Sequence, residues 1–174
     1  MTIAALFLAV VLQQAAPTVS PEAGDPAAVE VGAVIDQLHE AASKADGPAY
    51  FALFTPDARF IGTDATERWS LSQFRAYAEP YFARGQGWTY LPRDRVVTFA
   101  PVSCRCVAAF DEILDNAAYG SVRGSGVLVR TDGGWKIEQY VLSYAIPNDL
   151  ARPVTALIKD HEAIATPAAP STDR

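Results

Sequence analysis

The sequence predicts an α+β domain in which three helices near the amino end pack on one face of a curved antiparallel sheet. Two patterns carry this expectation. Before Gly87, apolar residues recur every three or four positions between capping and turn residues; after it, long segments rich in Val, Ile, Tyr, Phe and Trp alternate with turns. Helices followed by an antiparallel meander give helices gathered on one side of a sheet. The 174 residues, half of them hydrophobic, amount to one domain. A chain of this size buries roughly 70% of its unfolded surface, enough for a core without disulfide or metal staples.

Residues 3–12 read IAALFLAVVL, followed by Gln13, Gln14 and the small residues Ala15 and Ala16. This run is too short for a hydrocarbon core of about 30 Å, so stable membrane insertion is not expected. It matches the apolar region of a secretory signal peptide, although Met1 and Thr2 supply no Lys or Arg. Residues 1–16 are therefore expected to be a signal peptide and the protein secreted or periplasmic; the alternatives are an uncleaved apolar arm or a misassigned start codon that cut off a basic n-region. Residues 17–26, rich in Pro, Ala, Ser and Gly, read as a linker.

Asp25 and Pro26 supply an N-cap and a first-turn proline, and Val31, Val34, Ile35, Leu38 and Ala42 continue a helical stripe to about Asp46. His39 falls beside that stripe and reads as a surface or boundary residue. Residues 48–54 form a second short apolar piece, and 58–63 a short strand. Ser70 and Gln73 fit a capping box, opening a third helix with Leu71, Phe74, Tyr77, Ala78, Tyr81 and Phe82 on one face. Pro80 is expected to kink it, and Gly85 or Gly87 to end it. Residues 88–99, 102–114, 120–130 and 135–146 read as strands, and 152–165 as a weak last helix before an Ala/Pro/Ser/Thr tail. The domain proper is thus expected over 27–149, with 150–174 peripheral. Long strands curving over a helix leave a conical cavity, where small ligands tend to bind.

Three segments, PAYFALFTPDARFIGTDATERW over 48–69, CVAAFDEIL over 106–114 and RGSGVLVRTDGGWKIEQYVLS over 123–143, resemble in order and spacing the SnoaL-like group of the nuclear-transport-factor-two-like superfamily. The resemblance spans 31–146 and implies a cone-shaped, cystatin-like fold, commonly dimeric. It fixes no chemistry, because that superfamily holds isomerases, dehydratases, hydrolases, cyclases and non-catalytic association modules. Alignment with ketosteroid isomerase places its general-base aspartate at Gly62 and its oxyanion-binding tyrosine at Leu38. Alignment with the association domain of calcium/calmodulin-dependent protein kinase puts Gln139 and Val141 where two histidines stand. Both departures favour binding over catalysis.

Net charge is −6, and no Lys/Arg cluster exists to capture nucleic acid. Two cysteines and two histidines, scattered, give no zinc spacing, and no metal or cofactor is expected. Cys104 and Cys106, two apart on an expected strand, would form only a strained direct bond, leaving buried thiols or pairing between chains as alternatives. For the site, Asp111 and Glu112 are neighbours on one strand, so one faces into the cone and the other out. Asp111 with Arg123 is read either as a polar patch on the pocket wall or as a structural ion pair. Gln139 is placed inward by the alternation Trp135, Ile137, Gln139. Trp69 and Tyr77, with Tyr50, Tyr81 and Trp88, are candidate lining aromatics, or plain core. The family resemblance implies that Asp64 and Glu67 flank the mouth; a capped turn is the alternative reading. Three functions remain open: a pocket for a small, largely apolar molecule, a carboxylate-dependent acid/base enzyme, or a dimeric interaction module with a packed cone. No catalytic residue is assigned.

Overall fold

The computed structural model describes residues 24–165. The expected signal peptide, most of the linker and the end of the tail lie outside the described residues. Helix α1, Pro26–Ser43, starts as the sequence suggests: the Asp25 carboxylate accepts the Ala27 amide and proline fills the first turn. Its buried stripe is Val31, Ile35, Leu38, His39 and Ala42, so His39 joins the core side of the helix rather than its edge. A one-turn helix α2, Gly47–Ala52, is capped by Asp46 and drives Tyr50 and Phe51 into the core.

Strand β1, Phe54–Ile61, runs into a tight turn and a short strand β2, Arg68–Ser70, which the sequence did not suggest. Ser70 then caps α3, Leu71–Phe82, through the expected capping box. Pro80 sits in the last turn of α3 and removes one amide donor there, yet the helix runs two residues beyond it. Gly85, at φ +69°, follows in the left-handed region.

Four long strands complete the sheet: β3 Leu91–Phe99, β4 Val107–Asn116, β5 Gly120–Thr131 and β6 Gly134–Tyr144. The spatial order is β2-β1-β6-β5-β4-β3. All neighbours are antiparallel except β1 and β6, which run parallel, so the sheet is mixed at one edge. Residues expected to begin the second long strand instead form a loop from Ala100 to Cys106, with Arg105 at φ +47°. In that loop Cys104 and Cys106 are disulfide-bonded to each other. The loop conformation brings together thiols that an extended strand would hold apart. Arg105 between them pairs with Asp25 at the start of α1 and lies over the Phe99 ring. Helix α4, Ala151–Ala165, follows the sheet with mostly exposed side chains.

Alternation along the strands divides the sheet into two faces. On β4, Ala108, Phe110, Glu112 and Leu114 are buried beneath the helices, while Ala109, Asp111 and Ile113 face the other way. On β6 the phase changes, because Leu128 pairs with Ile137 but Val127 with Gln139, leaving Glu138 as an extra residue. The Thr55 hydroxyl donates to Glu138 at 2.7 Å and holds this bulge. Beyond it Tyr140 and Leu142, not Gln139 and Val141, point to the helices.

Candidate functional site

Helices α1 to α3 do not fill the concave face. They leave a cavity of about 290 Å³. Its floor comes from α1 (Leu38, His39, Ala42) and from Tyr50 of α2; its wall comes from Phe60, Trp69, Phe74, Tyr140 and Leu142. Tyr77 and Tyr81 of α3, Tyr119 of the β4–β5 turn, and Thr63, Glu67 and Gln86 reach it nearer the surface.

The wall is ordered. Tyr140 stacks on Phe60 (5.4 Å between ring centres, 15° between planes), Phe60 on Phe74 (3.8 Å, 10°), Phe74 on Trp69 (5.6 Å, 24°), and Trp69 on Tyr77 (5.0 Å, 20°). The result is a run of nearly parallel rings leading from buried Tyr140 to half-exposed Tyr77.

One polar cluster underlies this aromatic surface. Glu112 is wholly buried. Its Oε2 accepts from Arg95 Nε at 2.7 Å, and its Oε1 lies 2.6 Å from His39 Nε2. Arg95, on β3, also donates through Nη1 to the Gly32 carbonyl (3.0 Å) and Asp36 (2.7 Å) of α1. Burial disfavours the Arg95 charge, but Glu112 and Asp36 outweigh that and hold its pKa above the ordinary arginine value. Three phenols, Tyr50, Tyr90 and Tyr140, line the same cavity. Burial raises Tyr50 and Tyr140 well above the ordinary tyrosine range, with the Glu112 charge adding to the effect at Tyr140. Tyr90 is pushed up to about 12 by burial.

Of the six residues singled out in the sequence, Trp69 and Tyr77 line the cavity. The other four lie elsewhere. Asp111 and Arg123 face the outer side of the sheet, where they form a half-exposed ion pair at 2.9 Å. The inward carboxylate of the adjacent pair is Glu112, and its cation is Arg95 from the preceding strand. Gln139 is turned outward by the bulge at Glu138. Asp64 sits in the β1–β2 turn, accepting the Thr66 amide (2.8 Å) and hydroxyl (2.6 Å), while its own amide donates to Glu67. His39, Glu112 and Arg95 are the residues that sequence reasoning missed. Two signals were present: His39 is four positions after Ile35 and three before Ala42, and Glu112 alternates with Phe110 and Leu114.

A SnoaL-like domain model matches residues 31–147. The chain belongs to the SnoaL-like domain family. Solved structures agree on the fold. An NTF2-like family member from Streptomyces avermitilis is 15% identical, with 70% of this chain and 97% of that one covered at a TM-score of 0.59. An NTF2-like protein of unknown function from Pseudomonas putida is also 15% identical, covering 70% and 88%, at 0.57. An NTF2-like protein with a cystatin-like fold from Novosphingobium aromaticivorans is 16% identical, covering 73% and 87%, at 0.53. No curated protein matches the chain. Among the described residues, no cluster of three or more His, Cys, Asp or Glu is arranged to hold a metal, and no helix is long and apolar enough to cross a membrane.

The two carboxylate–arginine pairs should respond oppositely to mutation. Arg95→Met leaves a buried Glu112 without its cation and is expected to cost about 3 to 5 kcal/mol in denaturant unfolding, with Arg95→Met/Glu112→Leu recovering most of it. Asp111→Ala, at an exposed pair, should cost less than about 1 kcal/mol.

Asp64 provides a test in acid. The Thr66 hydroxyl, and then the Thr66 amide, hold its carboxyl below the ordinary aspartate value. A depressed folded pKa means the stabilisation is present above the unfolded value and is lost as pH falls through the folded one. NMR titration should therefore show Asp64 protonating late in the acid limb, and Thr66→Ala should move its midpoint up.

Proposed function

We propose that this SnoaL-like domain is an exported protein that binds a small, flat, largely apolar molecule in its cone. The observation that carries the proposal is the open cavity with its run of parallel rings. At about 290 Å³ it lies just below the roughly 300–1,000 Å³ typical of ligand pockets, a size suited to one or two fused rings. A packed cone would leave no such space, which counts against a purely structural role for the inner face.

Catalysis through the carboxylates first considered has less support, because Asp64 is committed to its turn and Asp111 lies on the outer face. Export is supported by the apolar run over residues 3–12 and by the Cys104–Cys106 disulfide, a bond that persists in oxidising compartments. A homodimer is supported by the outer face of the sheet, where Ile113, Ser125, Val127 and Val141 form a partly exposed surface flanked by the Asp111–Arg123 pair.

Native mass spectrometry of the protein purified from its own source tests all three parts. The expected spectrum shows a dimer of chains beginning between residues 16 and 27, carrying a retained mass that dissociates under activation. Chains starting at Met1 would reject export, and a monomer would reject the dimer. If the protein retains no mass and also binds no aromatic probe in titration, the pocket reading fails.

A further inference from the structure

His39 is nine-tenths buried and lines the cavity, with its Nε2 fixed against Glu112. Glu112 is already paired with the Arg95 guanidinium, and a carboxylate can only accept. The imidazole atom facing it is therefore an N–H, and in the neutral tautomer with that proton the lone pair lies on Nδ1. Among the described residues, Nδ1 has no hydrogen-bond partner, and neither do the Tyr50 and Tyr140 hydroxyls. Arg95 Nη2 is the one fully enclosed side-chain polar atom there without a partner, so these three atoms keep some accessible surface, and all three residues line the cavity.

Tyr140 is close to the dyad. A methyl group built on Gly124 would lie 2.8 Å from the Tyr140 hydroxyl and 3.3 Å from Glu112 Oε1, the same oxygen that holds His39. The inner part of the cavity thus combines the His39 imidazole with the Tyr50 and Tyr140 phenols.

We propose that this site selects planar molecules bearing an acidic hydroxyl, of the phenol or naphthol class. The ligand O–H donates to His39 Nδ1, and its oxygen accepts from a tyrosine hydroxyl. A neutral site of this kind favours the neutral phenol, with Glu112 and Arg95 acting behind His39 to fix its tautomer rather than touching the ligand. The proposal rests on the reading of the cavity as a small-molecule pocket.

The test is a fluorescence titration of the oxidised full-length protein with 2-naphthol, 2-methoxynaphthalene and naphthalene. The three share a ring system, but only the first can donate. 2-Naphthol is expected to bind about tenfold more tightly than 2-methoxynaphthalene, the size of one well-made hydrogen bond. His39→Phe should bring the ratio to near one while naphthalene still binds. Equal affinities in the wild-type protein, or a tenfold preference that survives His39→Phe, would overturn the His39 assignment and leave the pocket standing. Failure of all three to bind would overturn both. Should His39→Phe not fold, imidazole ¹⁵N resonances of the wild type decide: a neutral ring protonated on Nε2, with Nδ1 shifting on addition of 2-naphthol and not of its methyl ether, supports the assignment. An unshifted Nδ1 rejects it.

Discussion

A carboxylate with no solvent contact, Glu112, imposes the main constraint on this domain. Its position on β4 is enforced by alternation, since Phe110 and Leu114 on either side must be buried. An ionised carboxylate there is tolerable only with a cation and hydrogen bonds within reach. Arg95 supplies the cation from the neighbouring strand, His39 supplies the second donor from α1, and Arg95 also grips the Gly32 carbonyl and Asp36. The first helix is thereby tied to the edge of the sheet at a fixed register. The unpartnered Nη2 of Arg95 is the cost of serving both α1 and β4 at once.

The remaining concave surface is held by aromatic contacts. Tyr50 touches Phe51, Phe54, Phe74, Phe82 and Trp88, so α2, α3 and the approach to β3 converge on one ring. Rings pack edge to face or tilted around Tyr50 but nearly parallel from Tyr140 to Tyr77, and the difference matters. Edge-to-face packing fills volume in all directions, whereas a parallel run leaves its outermost faces available to another flat group. The dense part closes the cone at one side and the parallel run keeps it open at the other.

Most of the fold was readable from residue spacing because caps and turns here are local chemistry: Asp25 with Pro26, Asp46, and the Ser70–Gln73 box each act within one helical turn. Trp69 and Tyr77 were legible as candidates from residue type, as aromatics with polar tips, and both line the cavity. What failed was phase. A bulge at Glu138 depends on Thr55 of β1, a residue 83 positions away, so no local pattern in β6 reveals that Gln139 turns outward. The disulfide escaped for a similar reason, since Cys104 and Cys106 were assigned to a strand but occupy a loop. Choosing between Asp111 and Glu112 was a binary choice that alternation with Phe110 and Leu114 could have settled. Arg123 is the nearest cation within the β4–β5 hairpin, whereas Arg95 lies on β3, the other neighbour of β4.

These misassignments share a consequence for the kind of site the cone contains. Had Asp111, Arg123 and Gln139 faced inward, the pocket would have presented charges directly to a ligand, and ionic or strongly polar molecules would fit it best. Instead the exposed pair lies outside, where solvent screens it, and the buried pair is shielded from the cavity by the His39 ring. Apart from Glu67 near the mouth, charge reaches the cavity only indirectly, through the orientation of one imidazole behind which the ion pair lies. Such a surface discriminates by the direction of hydrogen bonds and by shape, and its selectivity depends on an ion pair that a ligand need never contact.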